Sequence, residues 1–368
     1  MNKNLTDTNI EIRIAESKED NPLLLDATNC LITFSDIENL PGLFSHEGDS
    51  TDIQCMNMDE GHDAYNPSPV IRARVHANDM GLTDIIALRT EARHGAYSAL
   101  TRFYTFDPSG RCQEIEGISR MPWEDPHMVV LPDGRITACG VHVEWDADDP
   151  TKLLGFKTEY YIGESLDSMS YLGVSPYGHK DSRLVVRDDS SLGLYIRPQQ
   201  RSGEGKIAYT PLADIEELAG DATAIYERAQ LVGQGIFGEN TWGGPNHAVD
   251  IGGGWDMVKC HIAAVLPGEY GDEEPHMIYS GFFMFHHPAS GRVRVARPHA
   301  SAYEFPHSDE YKWARVQDVV FPGGIIDIQV GKEGTLAAKG VYGLRDTRAV
   351  VRGLRSIVPV PQLLNAQI

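Results

Sequence analysis

Cysteine is scarce in this sequence. The 368 residues include five cysteines, which is an odd number, and no two of them form a C-x-x-C pair. Single, widely spaced cysteines argue against a disulfide framework. We therefore expect reduced thiols and a cytoplasmic protein. The five are Cys30, Cys55, Cys112, Cys139 and Cys260.

Positive charge and long apolar runs are also lacking. The chain carries 32 Lys and Arg against 53 Asp and Glu, a formal net charge of −21. This balance argues against a large basic patch, so we predict no nucleic-acid partner. An acidic surface also repels anionic lipid. Residues 1–20 have no apolar core of the kind found in signal peptides, and runs such as 262–266 are too short to span a bilayer. We therefore predict no membrane partner.

Common motifs for nucleotide, metal and nucleophile sites are not apparent. The glycines at 243–244 and 252–254 match neither G-x-G-x-x-G nor a P-loop, and the chain contains no G-x-S-x-G or H-E-x-x-H pattern. Its 14 histidines do not include a pair with metal-ligand spacing on a helix, and His286, His287 and His299 are only loosely grouped. We therefore predict no metal and no cofactor.

Turn-forming residues are abundant. The 36 Gly and 21 Pro are spread along the whole chain. Short alternating segments such as 70–75 and 98–106 lie between turn sequences such as Asp-Pro-Ser-Gly at 107–110. This pattern favours an all-β fold, and no β-α-β alternation is visible. One helix is predicted over 212–231 from an apolar stripe with helical spacing, although Gly220 weakens it.

The strand-rich segments form about five units of roughly 60–75 residues, longer than a common propeller repeat. A five-bladed β-propeller with loop insertions and one inserted helix fits this count, and a β-sandwich is the main alternative. No low-complexity linker divides the chain. We expect a polar tail or edge strand over 1–20 and a single catalytic domain over 21–368.

Two short segments contain candidate acidic and amide groups. Trp123-Glu124-Asp125-Pro126-His127 places two adjacent carboxyl groups beside an aromatic ring. Desolvation by the ring would raise the pKa of a carboxyl group, which suits a general acid. Asn66, in Ala64-Tyr65-Asn66-Pro67-Ser68, has an amide that both donates to and accepts from a sugar hydroxyl. An ordinary turn is the alternative for each segment.

A third segment concentrates cations. His179-Lys180-Asp181-Ser182-Arg183 is followed by Arg197, so a hairpin brings Lys180, Arg183 and Arg197 to one end. Such a cluster suits a phosphate or an oxyanion. The alternative is surface salt bridges with Asp188 and Asp189.

Two further segments combine glycine with polar residues. Trp242-Gly243-Gly244-Pro245-Asn246-His247, near His261, has glycines that permit close approach of a ligand to the backbone. Tyr342-Gly343-Leu344-Arg345-Asp346-Thr347 carries a charged pair after an apolar strand. Such a pair suits a channel or, alternatively, a solvated turn.

Taken in order, these pieces resemble a known pattern. The chain resembles an uncharacterised-domain family related to the mannoside phosphorylases of glycoside hydrolase family 130. Within that relationship it is most similar to the dual mannosyltransferase/phosphorylases that act on β-1,2-linked mannose oligosaccharides. The matching pieces are Asn66-Pro67-Ser68, Trp123-Glu124-Asp125-Pro126, Lys180-Asp181-Ser182-Arg183-Leu184, Arg197-Pro198-Gln199, Trp242-Gly243-Gly244-Pro245-Asn246-His247, His261-Ile262-Ala263, 318–324 and Gly343-Leu344-Arg345-Asp346-Thr347.

The resemblance implies a five-bladed β-propeller whose active site lies at one mouth of the channel. It implies that Asp125 is the catalytic acid and that Asn66 and Asp346 bind mannose hydroxyls. The phosphate or donor side is then lined by Lys180, Asp181, Arg197 and His261. The phosphorylases commonly have Arg-Asn in place of Lys180-Asp181, and Arg in place of His127. These differences leave both mannose 1-phosphate and GDP-mannose open as donors.

The residue chemistry favours phosphate over activated water. An inverting hydrolase needs a second carboxylate as base, whereas phosphate is already an anionic nucleophile and needs cations. We therefore predict an inverting β-mannoside phosphorylase or mannosyltransferase. Its partners are a mannose oligosaccharide, inorganic phosphate, and mannose 1-phosphate or GDP-mannose. The predicted phosphate ligands are Lys180, Arg183, Arg197 and His261. The predicted substrate ligands beside the catalytic Asp125 are Asn66, Glu124, Asp181, Asn246 and Asp346.

Two other functions remain open from the sequence. A non-catalytic sugar-binding propeller would use Trp123, Trp242 and Trp255 as stacking surfaces. A hydrolase on the same fold would need a second carboxylate facing the acid, for which Asp63 and Asp318 are the candidates.

Overall fold

A computed structural model describes most of the chain. The N-terminal segment 1–20, predicted as a tail or edge strand, lies outside the described residues, as does Cys30. The described residues are 24–26, 43–56, 58–77, 80–93, 99–149, 152–198, 206–233, 236–237, 241–266, 276–296, 299–305, 316, 318–331, 335–356, 360 and 364.

The first sheet illustrates how alternation in the sequence builds the strands. In β5 the apolar Ile71, Ala73 and Val75 are buried and the two arginines between them are exposed, because successive side chains point to opposite faces. The strands in this part of the chain are β1 (Leu24–Asp26), β2 (Phe44–Asp52), β3 (Gln54–Met56), β4 (His62–Tyr65), β5 (Ile71–Val75), β6 (Gly81–Ala92), β7 (Leu100–Phe106) and β8 (Arg111–Glu114). The sheet runs β3-β8-β7-β6-β4, and β5 also pairs with β6.

The second sheet is formed around a predicted turn. At Pro132-Asp133-Gly134-Arg135, Gly134 has a φ of 88° and its N–H donates to the carbonyl of Leu131 at 2.9 Å. This turn joins the first two of five strands, β9 (Glu124–Val130), β10 (Ile136–Trp145), β11 (Leu153–Gly163), β12 (Ser170–Val174) and β16 (Gly220–Asp221). Their order is β16-β12-β11-β10-β9.

The third sheet adjoins the predicted helix, which is shorter than expected. The sheet runs β13-β14-β15-β17. Its strands are β13 (His179–Val186), β14 (Leu192–Pro198), β15 (Ala208–Leu212) and β17 (Gln230–Leu231). The helix predicted over 212–231 is wrong in extent: it is a 3-10 turn, Ile215–Leu218, followed by the helix α1, Thr223–Arg228. Gly220 has a φ of 72°, and β16 pairs with β12 at this point, so sheet pairing interrupts the helical pattern.

The remaining strands form a ten-stranded sheet that includes β1 and β2. They are β18 (Thr241–Asp250), β19 (Asp256–Leu266), β20 (His276–His287), β21 (Arg292–Ala296), β22 (Asp318–Phe321), β23 (Ile325–Val330), β24 (Leu336–Leu344) and β25 (Arg348–Ser356). One antiparallel unit runs β18-β19-β20-β21-β1, and a second runs from β22 and β23 through β24 and β25 to β2. The two units are joined by a short parallel pair between β20 and β22.

The sheets pack face to face in a closed ring. One apolar cluster around Trp123 joins the first and second sheets, and another around Tyr160 joins the second and third. A cluster around Tyr195 joins the third sheet to the ten-stranded sheet. A further cluster around Tyr104 joins the ten-stranded sheet back to the first. Antiparallel units that close on themselves in this way form a β-propeller-like, nearly all-β fold, as predicted. Among the described residues, no helix is long and apolar enough to cross a membrane.

Candidate active site

Four of the predicted site residues share an unusual backbone conformation. Asn66, Asp125, Asp181 and Asp346 have φ values of 47°, 50°, 54° and 54°, in the left-handed region that non-glycine residues rarely adopt. Each such residue costs about 1–3 kcal/mol, and such residues cluster at functional sites. The register of strand pairing also slips at Asp125, Asp181 and Asn246. Such bulges redirect side chains, and here they aim polar groups away from the regular pleat.

The first polar group surrounds Asp125. Asn66 Nδ2 donates to Asp125 Oδ1 at 2.7 Å, although Asn66 directly follows β4 of the first sheet and Asp125 lies in β9 of the second. Arg89 Nη1 lies 3.7 Å from the same oxygen. Asp125 is largely buried, but about 10% of its side chain is exposed to solvent. One carboxyl group is therefore held by an amide and a guanidinium at the inner edge of two neighbouring sheets. We call Asn66, Arg89, Glu124 and Asp125 the acid group.

Arg89 organises the acid group, and the sequence reasoning missed it. Its Nη2 donates to Glu124 Oε1 at 2.9 Å, its Nε donates to Glu91 Oε1 at 2.9 Å, and its guanidinium lies 5.2 Å from the Tyr65 ring centroid. Burial raises the pKa of Glu124, and the neighbouring Asp125 adds to this while Arg89 opposes it. A signal was present in the sequence, because an Arg and a Glu two residues apart in an apolar strand share one face.

The second polar group surrounds Asp181. Arg197 Nη1 donates to Asp181 Oδ2 at 3.0 Å and lies 3.3 Å from His261 Nε2. His261 Nδ1 lies 2.8 Å from Asn246 Oδ1. Burial alone would raise the pKa of Asp181, but Arg197 and the other cations around it hold that pKa well below its usual range. Gly244 permits this packing, since a Cβ there would lie 2.6 Å from Asp181 Oδ2. We call Asp181, Arg197, Asn246 and His261 the arginine group.

His261 is not the cation that the sequence predicts. Burial lowers its pKa to about 3, and Arg197 and Lys180 add to this against the opposing effect of Asp181. The ring is therefore neutral at pH 7. The neutral form that suits both contacts donates from Nδ1 to Asn246 and accepts from Arg197 at Nε2. His261 thus orients Arg197 and is not itself a cation.

The predicted cations differ in how far solvent reaches them. The side chains of Arg183 and Arg197 are only 2% and 3% exposed, whereas Lys180 is half-buried. Arg183 donates to the carbonyl of Ser182 at 2.9 Å and lies 3.8 Å from Asp181 Oδ1. The four predicted phosphate ligands, which include His261, therefore surround Asp181. Of these four, Lys180 alone reaches solvent appreciably.

Lys180 and Asp346 connect the two groups. Burial lowers the pKa of Lys180 and Arg197 lowers it further, while Asp181, Asp125 and Glu124 raise it. Asp346, which is half-buried, acts on Arg89 and Tyr65 on one side and on Tyr279 on the other. The acid group and the arginine group therefore lie within electrostatic reach of the same two side chains, at one end of the ring.

Two aromatic rings lie beside the arginine group, and the sequence points to only one of them, Trp242. Tyr279 stacks on His261 with ring centroids 5.7 Å apart, and Trp242 meets Tyr279 edge-on at 6.1 Å. Trp242 and Tyr279 are both half-buried. Trp123 and Trp255 are each only 1% exposed, so the expectation that they are sugar-stacking surfaces is wrong. The Trp123 indole N–H donates to Glu159 Oε2 at 3.0 Å.

The two alternative carboxylates, Asp63 and Asp318, both lie near arginines. Asp63 is 1% exposed and accepts from Arg93 Nη2 at 2.7 Å, so its charge is already paired. Asp318 lies in β22 within electrostatic reach of Arg345. In the part of the chain that the structure describes, no three His, Cys, Asp or Glu side chains are grouped to hold a metal ion.

The fold defines the class of the protein as β-propeller-like, and solved structures share it. MPT-4, a mannose phosphorylase from Leishmania mexicana solved with a phosphate ion, is 22% identical, with a TM-score of 0.70 over 86% of this chain and 90% of that one. MPT-1, a GDP-Man-dependent mannosyltransferase from the same organism, is 19% identical, with a TM-score of 0.68 over 83% and 88%. A Bacteroides ovatus glycosyl hydrolase is 11% identical, with a TM-score of 0.51 over 85% and 93%.

Residues 48–349 match the family described as "Protein of unknown function (DUF1861)", and the chain belongs to that family. The resemblance noted in the sequence is thereby confirmed at the level of family and fold. A comparison with curated proteins finds no match.

Proposed function

We propose that this protein is a carbohydrate-active enzyme, an inverting β-mannoside phosphorylase or mannosyltransferase. Its substrates are β-1,2-linked mannose oligosaccharides, and its donor is mannose 1-phosphate or GDP-mannose. The single observation that carries the proposal is that one oriented carboxyl group, Asp125, lies near one cluster of cations. Asp125 accepts a hydrogen bond from Asn66 at 2.7 Å, and Lys180 lies within electrostatic reach of both Asp125 and the arginine group. We also propose that the antiparallel units are the five blades of one propeller domain over 21–368.

Asp125 transfers the proton in this proposal. In breakdown, a phosphate oxygen forms a bond to the anomeric carbon of mannose, and the glycosidic C–O bond breaks on the opposite face. The proton of Asp125 goes to the departing sugar oxygen. In synthesis, the same carboxylate takes the proton of the acceptor hydroxyl while phosphate or a nucleotide leaves. Asn66 and Arg89 fix the orientation of Asp125 in both directions.

The cation side binds the phosphate in this proposal. Lys180, as the half-buried cation, faces the anion directly, and Arg197 is held behind it by Asp181 and His261. A guanidinium fixed on two sides loses little freedom when it adds a hydrogen bond to an oxyanion. Arg183 supports Asp181 from the interior. His261 acts through Arg197, and Asn246 fixes the His261 ring.

Hydroxyl recognition falls to the remaining carboxylates. Asp346 lies within electrostatic reach of Arg89 on one side and of Tyr279 on the other, which supports a role for its carboxylate in binding a sugar between the two groups. Glu124 is about one-fifth exposed and binds Arg89 through one oxygen, so its other oxygen is available for a hydroxyl. Of the two candidates for a water-activating base, Asp63 is paired with Arg93.

A donor screen tests this proposal. The protein is incubated with mannose and either mannose 1-phosphate or GDP-mannose, and oligosaccharide and released phosphate or GDP are measured. We expect oligosaccharide and stoichiometric release from one of the two donors. Sugar binding without turnover of either donor would replace the proposal with a non-catalytic binding propeller.

A further inference from the structure

A β-hairpin extends past the acid group. β9 pairs with β10 only as far as Val141, opposite Glu124, whereas β10 and β11 continue to pair as far as Trp145 and Leu153. Glu144 lies three positions after Val141 in β10, which is about 10 Å along a strand. The hairpin therefore forms a wall that rises from the acid group toward solvent.

An exposed tyrosine is fixed on this wall. Tyr177 is 61% exposed, yet its ring packs closely against Gly155, where a Cβ would be 3.0 Å from Tyr177 Cδ1. The Tyr177 hydroxyl donates to Glu144, and Lys157 Nζ binds Glu144 at 2.9 Å. Lys157 Nζ also lies 5.5 Å from the centre of the Tyr177 ring. We call Tyr177, Gly155, Glu144 and Lys157 the Tyr177 platform.

The Tyr177 ring is exposed and yet fixed by its contacts. A mobile aromatic side chain in water keeps its rotamer freedom, and fixing it has an entropic cost. Here a bare glycine backbone and a hydrogen bond to a paired carboxylate fix a ring that buries little surface. A rigid ring with charged groups at its edge matches a pyranose ring, which has an apolar C–H face and hydroxyls around its rim. The platform therefore has the chemistry of a sugar-binding surface.

We propose that the Tyr177 platform is a subsite for an outer sugar ring of the mannose oligosaccharide. This inference rests on the proposed function for the identity of the sugar. In it, one ring stacks on Tyr177, and Glu144 and Lys157 bind its hydroxyls. Because Glu144 of the platform lies about 10 Å along β10 from Val141, the residue opposite Glu124, the platform is reached by an oligosaccharide and not by mannose itself. The subsite makes the enzyme prefer longer chains.

The test compares Tyr177→Ala with wild type, using mannose, a β-1,2-mannobiose and a β-1,2-mannotetraose. Binding is measured by calorimetry and turnover by product release. We expect Tyr177→Ala to weaken tetraose binding about tenfold, in line with the loss of one aromatic contact, and to leave the mannose and mannobiose values unchanged. Tyr171→Ala is the matched control, because Tyr171 is 52% exposed on the outer strand β12, away from the platform.

The binding measurement tests the subsite, and the turnover measurement tests the proposed function. Equal tetraose binding by wild type and Tyr177→Ala, or no tetraose binding by wild type, would overturn the platform. An equal loss in Tyr171→Ala would also overturn it. Tyr177-dependent tetraose binding without turnover of any donor would uphold the subsite and refute the proposed function.

Discussion

Acidification should destabilise this protein through buried neutral histidines. Burial lowers the pKa of His247, His261 and His286 to about 3 each, and nearby Lys or Arg side chains contribute. In the unfolded chain a histidine titrates near 6.5. As the pH falls below 6.5, the unfolded chain takes up a proton at each of these positions, while the folded protein does not until about pH 3. The free energy of unfolding therefore decreases across this window.

The size of the effect follows from the pKa differences. Between pH 7 and pH 5, one histidine whose folded pKa is about 3 lowers the free energy of unfolding by about 2 kcal/mol. Three such histidines together contribute about 6 kcal/mol. This is a large part of the 5–15 kcal/mol that stabilises a typical domain. We therefore expect marked loss of stability at pH 5, well above the range in which most carboxylates become protonated.

Urea denaturation at pH 7 and pH 5 measures this effect, and His261→Gln isolates one contribution. Glutamine cannot take up a proton, so the difference in stability between the two pH values should shrink by about 2 kcal/mol. His286→Gln should shrink it by a similar amount, although His286 contacts Tyr195 and lies outside the arginine group. A pH dependence unchanged by His261→Gln would mean that His261 is protonated in the folded protein. The assignment of a neutral acceptor beside Arg197 would then be wrong.

Two substitutions test the packing of the site. Gly244→Ala would place a methyl group 2.6 Å from Asp181 Oδ2, so we expect a loss of about 1–3 kcal/mol in urea denaturation and weaker phosphate binding by calorimetry. Unchanged values would show that the arginine group is loosely packed. Arg89→Met leaves Glu91 and Glu124 without their cation, so we expect a loss of about 3–5 kcal/mol at pH 7 that shrinks towards pH 4. A loss that does not depend on pH would refute the charge-pairing role.

The sequence predicts the architecture because local signals agree with it. Alternating residues at 71–75 form a strand, and the Pro-Asp-Gly-Arg turn at 132–135 joins two strands as expected. The helix over 212–231 fails because β16 pairs with a strand almost fifty residues earlier in the chain. Helical spacing reports only on local preference, and tertiary pairing overrides it.

The sequence predicts some of the residues that form the site, but it does not predict how those residues are arranged. Asn66 and Asp125 are visible as polar residues before Pro, but their left-handed backbone and their 2.7 Å contact join two sheets. Arg89 looks like an ordinary strand residue until Glu91 and Glu124 are seen around it. The charge of His261 depends on burial, which the residue type alone does not reveal.

Phosphate-dependent cleavage tests the central claim most directly. A β-1,2-mannobiose is incubated with and without inorganic phosphate, using wild type and Asp125→Asn, and mannose 1-phosphate and free mannose are quantified. The account predicts that mannose 1-phosphate forms only with phosphate and only with wild type, while Asp125→Asn remains folded by circular dichroism. Cleavage to mannose alone without phosphate, or a near-normal rate in folded Asp125→Asn, would contradict it.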